Sequence, residues 1–510
     1  MKKTPIHIII IIMLFASCQS NYPKEQSHII EKSVNPSPMD KTLMPEPVFD
    51  TEPEFVEFYW KAWELAWNHV KESKGAPQSP YMDEAHWTST IWIWDTSFMM
   101  HYCKYAPELF PGIESLDNFY AIMHDKQTSS LFIQHPDNPP LFAWSEYEYF
   151  KLTGDTTRLR KVLIERQYLQ KHYYLFDNFE PDTKYPYAGA PVKIKKHPNG
   201  YQWGGVQSGM DNTPRGRGDE DSILWIDAIA QQALSAYYIK EIASVLKQND
   251  IVQEYSNKYK KQKELINRYY WNSEDGIYYD IKVNSPYEHV AVKTPAAYWP
   301  MLALTPGVNQ AELLAGHIEN KKVFGGVFPL PSVSRDDKDF ESKGKYWRGG
   351  IWLPTAYMSI KALEKYGYFE LADKTSYNLI KQMLKTYKEV EPHTIWECYS
   401  PTEAKPSTMK KNEKYSRQDF CGWSALGPIS LFIENVLGFH EIDATEKRVV
   451  WRKYQKGRHG IKGLRFGTVV TDIISEGDKI MIVSNEPYTL VVNTKEYVVK
   501  NGKTILQWIE

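Results

Sequence analysis

Cysteine is scarce in this chain of 510 residues, which contains four. Beyond Cys18 only Cys103, Cys398 and Cys421 occur, without C-x-x-C spacing. This pattern implies neither a disulfide framework nor a thiolate metal site, although a disulfide between Cys398 and Cys421 stays open. The sequence also lacks an H-E-x-x-H motif and a D-x-D-x-D-G loop. We therefore expect no bound metal and no other cofactor.

An excess of charge of either sign is also lacking. Lys and Arg total 61 and Asp and Glu total 63, which gives a formal net charge of -2 at pH 7. Because both signs are interspersed, the chain has no broad cationic face for nucleic acid. No feature of the sequence indicates an obligate protein partner.

Long apolar runs are absent except near the N-terminus. There Lys2 and Lys3 precede an apolar stretch at residues 8–16, which is too short for a stable membrane span. The order Leu-Phe-Ala-Ser-Cys at residues 14–18 resembles a bacterial lipobox. We expect residues 1–18 to be a lipoprotein signal peptide and Cys18 to carry the lipid. The exported protein would then be anchored to a bacterial membrane, on its periplasmic side or at the cell surface. A plain signal peptide cut near Ser17 is the alternative.

The rest of the chain divides into three segments. Residues 19–53 are polar and proline-rich, and they predict a flexible linker. Residues 54–440 have apolar residues at helical spacing, and no fixed-period repeat, which favours a closed ring of helical hairpins. In residues 441–510, apolar and polar residues alternate in short runs that are separated by turns, which predicts a small β domain. The predicted helices are 54–73, 95–106, 112–124, 141–153, 156–175, 221–246, 249–269, 295–303, 308–317, 350–365, 368–386 and 421–437. The expected fold class is all-α with a C-terminal β domain.

Aromatic residues are abundant, at 14% of the chain with 17 Trp and 35 Tyr. Flat amphipathic rings suit sugar faces as well as core packing. Several loops combine Trp with Gly, Asp and Arg, and such loops carry function on a rigid scaffold.

Two carboxylates in these loops are candidates for catalysis. Asp211 lies in GVQSGMDNTPRGRGDEDS, ahead of an acidic run at 219–221 that we assign to the start of a helix. Glu397 lies between Trp396 and Tyr399 in a segment that predicts neither helix nor strand. Cleavage of a glycosidic bond requires one carboxylic acid and one carboxylate, so this pair fits a glycoside hydrolase.

Several motifs, taken together and in order, resemble glycoside hydrolase family 63, the processing α-glucosidase group, to which the trehalases of family 37 are related. They are IWIWDTSFM, PPLFAWSEYEYF, SGMDNTPRG, GGVFPLPSVSRDD, YWRGGIW, IWECYSP and FCGWSALGPISLFIENVLG, within about residues 55–440. The resemblance implies an (α/α)6 barrel that inverts the anomeric carbon of an α-linked glucoside or related oligosaccharide. It implies Asp211 as general acid and Glu397 as general base.

The candidate sugar-binding residues are Trp94, Asp95, Gln207, Arg215, Trp347, Arg348, Tyr399 and Trp423. Of these, the resemblance places Asp95, Trp347 and Arg348 at the innermost sugar. We expect Arg215 and Arg217 to face substrate or the acidic run at 219–221. The chain departs from the family pattern in the long basic stretch after Glu397 and in the residues that follow Asp211.

Two other functions stay open. A polysaccharide lyase on an α/α toroid could use the basic stretch KPSTMKKNEKYSR against a uronate, and would release an unsaturated product. A non-catalytic glycan-binding surface lipoprotein would share the lipid anchor, the helices and the aromatic residues, but would not need the two carboxylates.

Overall fold

The structure of the protein, a computed structural model, describes residues 38–85, 87 and 89–508. The predicted signal peptide, Cys18 and residues 19–37 of the predicted linker lie outside this part of the chain. Among the described residues, none of the helices combines the length and the apolar character that crossing a bilayer requires.

Every predicted helix has a counterpart in the structure. The helices are α1 (Pro53–Trp67), α2 (Ile93–Cys103), α3 (Leu116–Met123), α4 (Phe142–Thr153), α5 (Thr156–Arg160), α6 (Tyr168–Asp177), α7 (Ile226–Val245), α8 (Asn249–Leu265), α9 (Trp299–Leu302), α10 (Val308–Glu319), α11 (Leu353–Lys365), α12 (Phe369–Glu389) and α13 (Gly427–Val436). The predicted helix 156–175 is interrupted at Gln167, whose φ of 54° lies outside the helical region. The predicted helix 221–246 begins later, at Ile226, because residues 220–222 form a separate 3-10 turn.

Six helices contact one another in a closed order. The sequence of contacts runs α2, α4, α7, α9, α11, α13 and back to α2. The remaining long helices pack outside this order, as α8 does on α7 and α12 does on α11 and α13. The ring helix α7 is buried along most of its length. The outer helix α12 is amphipathic and buries only its apolar face, as is typical of a helix with one side in solvent.

The strands are β1 (Glu46–Phe49), β2 (Val70–Lys71), β3 (Tyr81–Met82), β4 (Thr90–Ile91), β5 (Phe132–Ile133), β6 (Lys195–His197), β7 (Gly200–Gln202), β8 (Ile223–Leu224), β9 (Trp271–Asn272), β10 (Ile277–Tyr278), β11 (Asp280–Lys282), β12 (Ser285–Val290), β13 (Phe439–Asp443), β14 (Arg448–Trp451), β15 (His459–Phe466), β16 (Val469–Glu476), β17 (Lys479–Ser484), β18 (Tyr488–Val492), β19 (Lys495–Val499) and β20 (Gly502–Gln507). A five-stranded sheet in the order β12-β11-β8-β7-β6 belongs to the helical region. The expectation of an all-α domain is therefore wrong at this sheet, which flanks the loop that carries Asp211.

The C-terminal β domain contains two sheets. One has the order β13-β14-β18-β19 and the other β1-β15-β16-β17-β20. The domain starts at Phe439, two residues before the predicted boundary. Strand β1 pairs antiparallel with β15, from Glu46 opposite Lys462 to Phe49 opposite His459. The predicted linker is thus too long at its C-terminal end, since pairing and the burial of Val48 and Phe49 fix residues 46–49 to the β domain.

The β domain and the helices share one hydrophobic core. The indole of Trp451 in β14 donates to the carbonyl of Leu437, 2.7 Å away, just after α13. Lys151 of α4 forms an ion pair with Asp443 of β13. These contacts attach the β domain to the ring of helices.

Candidate active site

The candidate residues lie in segments that lead into the N-terminal ends of ring helices. Asp95 is in the first turn of α2, and Asp211 precedes α7. Arg348 precedes α11, and Glu397 precedes α13. Because all four helices belong to the same ring, the fold brings together segments that are far apart in the sequence.

Glu397 is fully buried, with 0% of its side chain exposed. Its Oε1 accepts hydrogen bonds from the Tyr346 hydroxyl at 2.9 Å and from Nη1 of Arg417 at 2.8 Å. Its Oε2 accepts a third from the backbone N–H of Arg417 at 3.2 Å. Burial raises the pKa of Glu397, and the Arg417 guanidinium opposes that effect. The carboxylate is thus fixed in one orientation beside a cation that favours its ionised form.

Asp211 is half-buried, with 28% of its side chain exposed. Its Oδ2 lies 2.9 Å from Nζ of Lys410, which belongs to the basic stretch after Glu397. The basic stretch that departs from the family pattern is therefore in direct contact with the candidate acid.

Asp95 is a third carboxylate at the same place. Burial raises its pKa well above the ordinary value, and the negative charges of Glu397 and Asp211 add to the effect. Charges that influence one another in this way belong to a single electrostatic site, so the structure brings together all three acidic residues that the sequence nominated.

Trp94 forms part of the wall beside Asp211. Its indole packs against Gly209, where an added Cβ would lie 2.9 Å from the ring and where φ is +78°. Both the space and the backbone conformation therefore require glycine at this position. Gln207, in the same loop, is buried, and its backbone carbonyl accepts a 2.9 Å hydrogen bond from Asn138.

Asn212 connects the Asp211 loop to the segment before α11. Its side-chain amide donates to the Lys345 carbonyl at 3.0 Å, and its Oδ1 accepts from the Trp347 N–H at 2.9 Å. Arg348 donates to the Asn212 carbonyl at 3.3 Å and keeps 36% of its side chain exposed. Arg348 is therefore placed where it can reach a ligand, while Asn212 holds the two loops together.

All four of the predicted sugar-binding aromatic residues are buried within the protein, Trp94 among them. Trp347 is stacked on Trp352 with ring centroids 4.0 Å apart and is 1% exposed. The Tyr399 hydroxyl accepts a hydrogen bond from the Trp396 N–H at 3.1 Å, and Tyr399 has no exposed surface. Trp423 donates from its indole to the Glu397 carbonyl at 2.9 Å. These contacts position Glu397 and the surrounding loops.

Arg215 does not occupy the position expected of a sugar-binding residue. Its side chain is 1% exposed and forms paired hydrogen bonds of 2.5–3.0 Å with Asp227 and Asp280. The guanidinium also lies over the Trp225 ring, 4.4 Å from its centroid. Because both carboxylates and the ring enclose it, Arg215 fixes the Asp211 loop to α7 and β11 and has no free face for a sugar.

Arg217 also differs from expectation. It pairs with Asp337, at 3.0 Å, and with Asp339, and not with the acidic run at 219–221. Within that run, Glu220 pairs with Lys193 at 3.1 Å. The run overlaps the short 3-10 turn at residues 220–222 and precedes strand β8, so the expected position at the start of a long helix is wrong.

Sequence reasoning missed Tyr346, Lys410, Arg417 and His135. Burial lowers the pKa of His135 to about 4, and the charge of Asp211 opposes that effect. Tyr346 is the first residue of the quoted YWRGGIW motif, whereas Lys410 and Arg417 lie in the basic stretch that departs from the family pattern. That stretch was the available signal for both basic residues.

The three described cysteines, Cys103, Cys398 and Cys421, are free and buried, so no disulfide joins Cys398 to Cys421. Across residues 38–85, 87 and 89–508, no group of three or more His, Cys, Asp or Glu side chains is arranged to hold a metal ion.

A buried, oriented carboxylate and a second carboxylate on another loop that leads to the ring of helices match the pair of acidic groups that glycoside hydrolases require. The chain belongs to the mannosylglycerate hydrolase MGH1-like glycoside hydrolase domain family, whose profile matches residues 94–420. The resemblance to glycoside hydrolase family 63 is thereby confirmed, and neither a lyase nor a non-catalytic binder is favoured.

Three similar proteins agree with this placement. The chain is 27% identical over 353 residues to the mannosyl-oligosaccharide glucosidase of Saccharomyces cerevisiae, an alignment that covers 63% of this chain and 38% of the yeast protein. It shares a fold with the family 63 mannosylglycerate hydrolase of Thermus thermophilus, at a TM-score of 0.53 and 18% identity, covering 73% of this chain and 99% of that one. The neutral trehalase of Saccharomyces cerevisiae has a TM-score of 0.52 at 14% identity, covering 72% and 77%.

Proposed function

We propose that the protein is an inverting glycosidase that hydrolyses an α-linked glucoside or mannoside, with Asp211 as general acid and Glu397 as general base. The observation that carries the proposal is the environment of Glu397, which is buried and oriented by Tyr346 and Arg417. The ring of six helices supports an (α/α)6 barrel as its scaffold.

The proposed base must be ionised when it activates water. Burial alone would make Glu397 hold a proton, but the Arg417 guanidinium at 2.8 Å favours the carboxylate. Tyr346 and Arg417 occupy Oε1, while Oε2 receives one backbone N–H and retains a lone pair. We assign to Oε2 the removal of a proton from water as the water attacks the anomeric carbon.

The proposed acid must hold a proton as the glycosidic bond breaks. Asp211 keeps 28% of its side chain exposed, so its carboxyl group can take up a proton from solvent before the glycosidic bond breaks. Asp211 then gives its proton to the departing oxygen.

The sugar itself is assigned to the space next to these three carboxylates. Asp95 and Arg348 offer hydrogen bonds to hydroxyl groups. The names of the yeast glucosidase and the Thermus hydrolase favour a glucosyl or mannosyl unit at this position. We also propose export and attachment to a bacterial membrane through a lipid on Cys18, on the basis of the N-terminal sequence alone.

The test is hydrolysis of a panel of α-linked glucosyl and mannosyl disaccharides by Asp211→Asn and Glu397→Gln. Each variant should lose about 10²–10⁴ in kcat while remaining folded, because each removes one proton-transfer group. Matched controls are Asp219→Asn and Glu403→Gln, which change exposed carboxylates in the same two segments. Near wild-type hydrolysis by either catalytic-site variant would overturn its assignment.

A further inference from the structure

Lys410 forms an ion pair with the proposed proton donor. Its Nζ lies 2.9 Å from Oδ2 of Asp211 and 5.4 Å from the centroid of the Tyr346 ring. The Tyr346 hydroxyl in turn donates to Glu397. Lys410 therefore contacts the proposed acid and lies over the ring of the tyrosine that orients the proposed base.

This contact conflicts with proton donation by Asp211. An ammonium group within hydrogen-bonding distance favours the ionised form of a carboxyl group. A general acid has to carry a proton at the moment when the leaving oxygen develops negative charge. With Lys410 in this position, Oδ2 of Asp211 accepts a hydrogen bond from an ammonium group, so this oxygen cannot donate to a leaving group.

The position of Lys410 in the chain allows its side chain to move away. It lies at the base of an exposed turn formed by residues 411–415, and 37% of its side chain is exposed. The turn is closed by a bridge between Thr408 and Tyr415 and by a 2.8 Å hydrogen bond from the Met409 N–H to the Lys414 carbonyl. The backbone is thus fixed below the turn, while a flexible four-carbon stem carries the charge.

We propose that Lys410 is a displaceable counter-ion of the proton donor, which pairs with Asp211 in the free enzyme and leaves it when a sugar enters. This inference depends on the proposed function. After Lys410 departs, Asp211 takes a proton from solvent. It gives that proton to the glycosidic oxygen as the carbon–oxygen bond breaks, water bonds to the anomeric carbon, and Glu397 accepts the water proton. Solvent exchange then returns Glu397 to the carboxylate.

Other charged groups also face this place. These groups lie in α2 and in the segments before α4, α11 and α13. They are Asp95, His135, Tyr346, Glu397 and Arg417. Arg417 is engaged by Glu397, and Asp95 and Glu397 are acidic. Departure of Lys410 therefore frees Oδ2 of Asp211 beside two acidic neighbours.

The test is the pH profile of kcat/KM for Lys410→Met on an α-linked disaccharide that the wild-type enzyme hydrolyses. A disaccharide is required because an activated aryl leaving group needs little protonation. The alkaline limb of the profile should move to higher pH by about one unit, because the variant lacks the partly exposed ammonium group that contacts the proposed donor. On that limb, kcat/KM should rise about tenfold, with the acid-side plateau unchanged.

Three comparisons make the result decisive. Lys410→Arg keeps the charge and should retain the wild-type limb, and Lys411→Met changes an exposed neighbour and should behave as wild type. An unmoved alkaline limb in folded Lys410→Met would overturn the inference. A rise in KM confined to substrates with a carboxylate in the leaving group would also overturn it, because Lys410 would then be a substrate-binding residue. Activity in Asp211→Asn would instead overturn the proposed function itself.

Discussion

Replacement of Arg417 by Met should move the acid limb of the pH–activity profile. Arg417 supplies the cation that offsets the effect of burial on the pKa of Glu397. The base works only as a carboxylate, so activity disappears as the pH falls through its pKa. If the cation is lost, the pKa rises, and activity should disappear at a higher pH than in the wild type.

The magnitude follows from the geometry. An opposite charge within about 4–6 Å shifts a carboxyl pKa by roughly one to three units, and 39% exposure of the Arg417 side chain favours the lower end. We expect the acid limb to move upward by about one pH unit, which lowers kcat/KM about tenfold on the acid side. The neutral plateau should fall less, because the hydrogen bonds from Tyr346 and from the backbone N–H at 417 remain.

The assay is kcat/KM for an α-linked disaccharide across the pH range in which the protein stays folded. Arg417→Lys retains a cation and should keep the acid limb close to its wild-type position. Arg458→Met, on the β domain, is a matched control. If the acid limb stays in place while kcat/KM falls equally at every pH, Arg417 contacts the substrate and the argument about Glu397 is refuted.

Three further predictions concern the scaffold. Arg215→Met should lower the free energy of unfolding by about 3–5 kcal/mol in chemical denaturation, because it leaves two buried carboxylates without their cation; a loss under about 1 kcal/mol would contradict this. Gly209→Ala should reduce both stability and kcat/KM more than Gly218→Ala, since both have positive φ but only Gly209 has an indole within 3 Å of the added Cβ; equal effects would show that the contact with Trp94 is unimportant. The three buried thiols, whose pKa values burial raises, should react with a thiol reagent in a Cys18→Ser protein only after unfolding, and rapid labelling of the native protein would refute their burial.

The helices were predictable because each has a long amphipathic or apolar pattern. The sheet beside the Asp211 loop was not, because its strands are two to six residues long and too short to show alternation. Strand β1 was missed for a different reason. It is formed by Glu-Pro-Val-Phe at the end of a proline-rich stretch, and its stability comes from a partner strand more than 400 residues away.

The site was predictable in its carboxylates but not in their partners. Asp211 and Glu397 could be nominated from the chemistry that a glycosidic bond requires. Arg215 was misassigned because a loop arginine beside glycines suggests a ligand, whereas its partner Asp280 lies 65 residues further along the chain. Lys410 and Arg417 could be seen as basic residues, but only the fold shows which carboxylate each one contacts.

The measurement that tests the central claim most directly is proton NMR of the first sugar released from an α-linked glucoside or mannoside, recorded before mutarotation equilibrates the anomers. Acid–base catalysis by Asp211 and Glu397 through a single attack of water predicts the β-anomer as the first product. Initial release of the α-anomer would contradict the account.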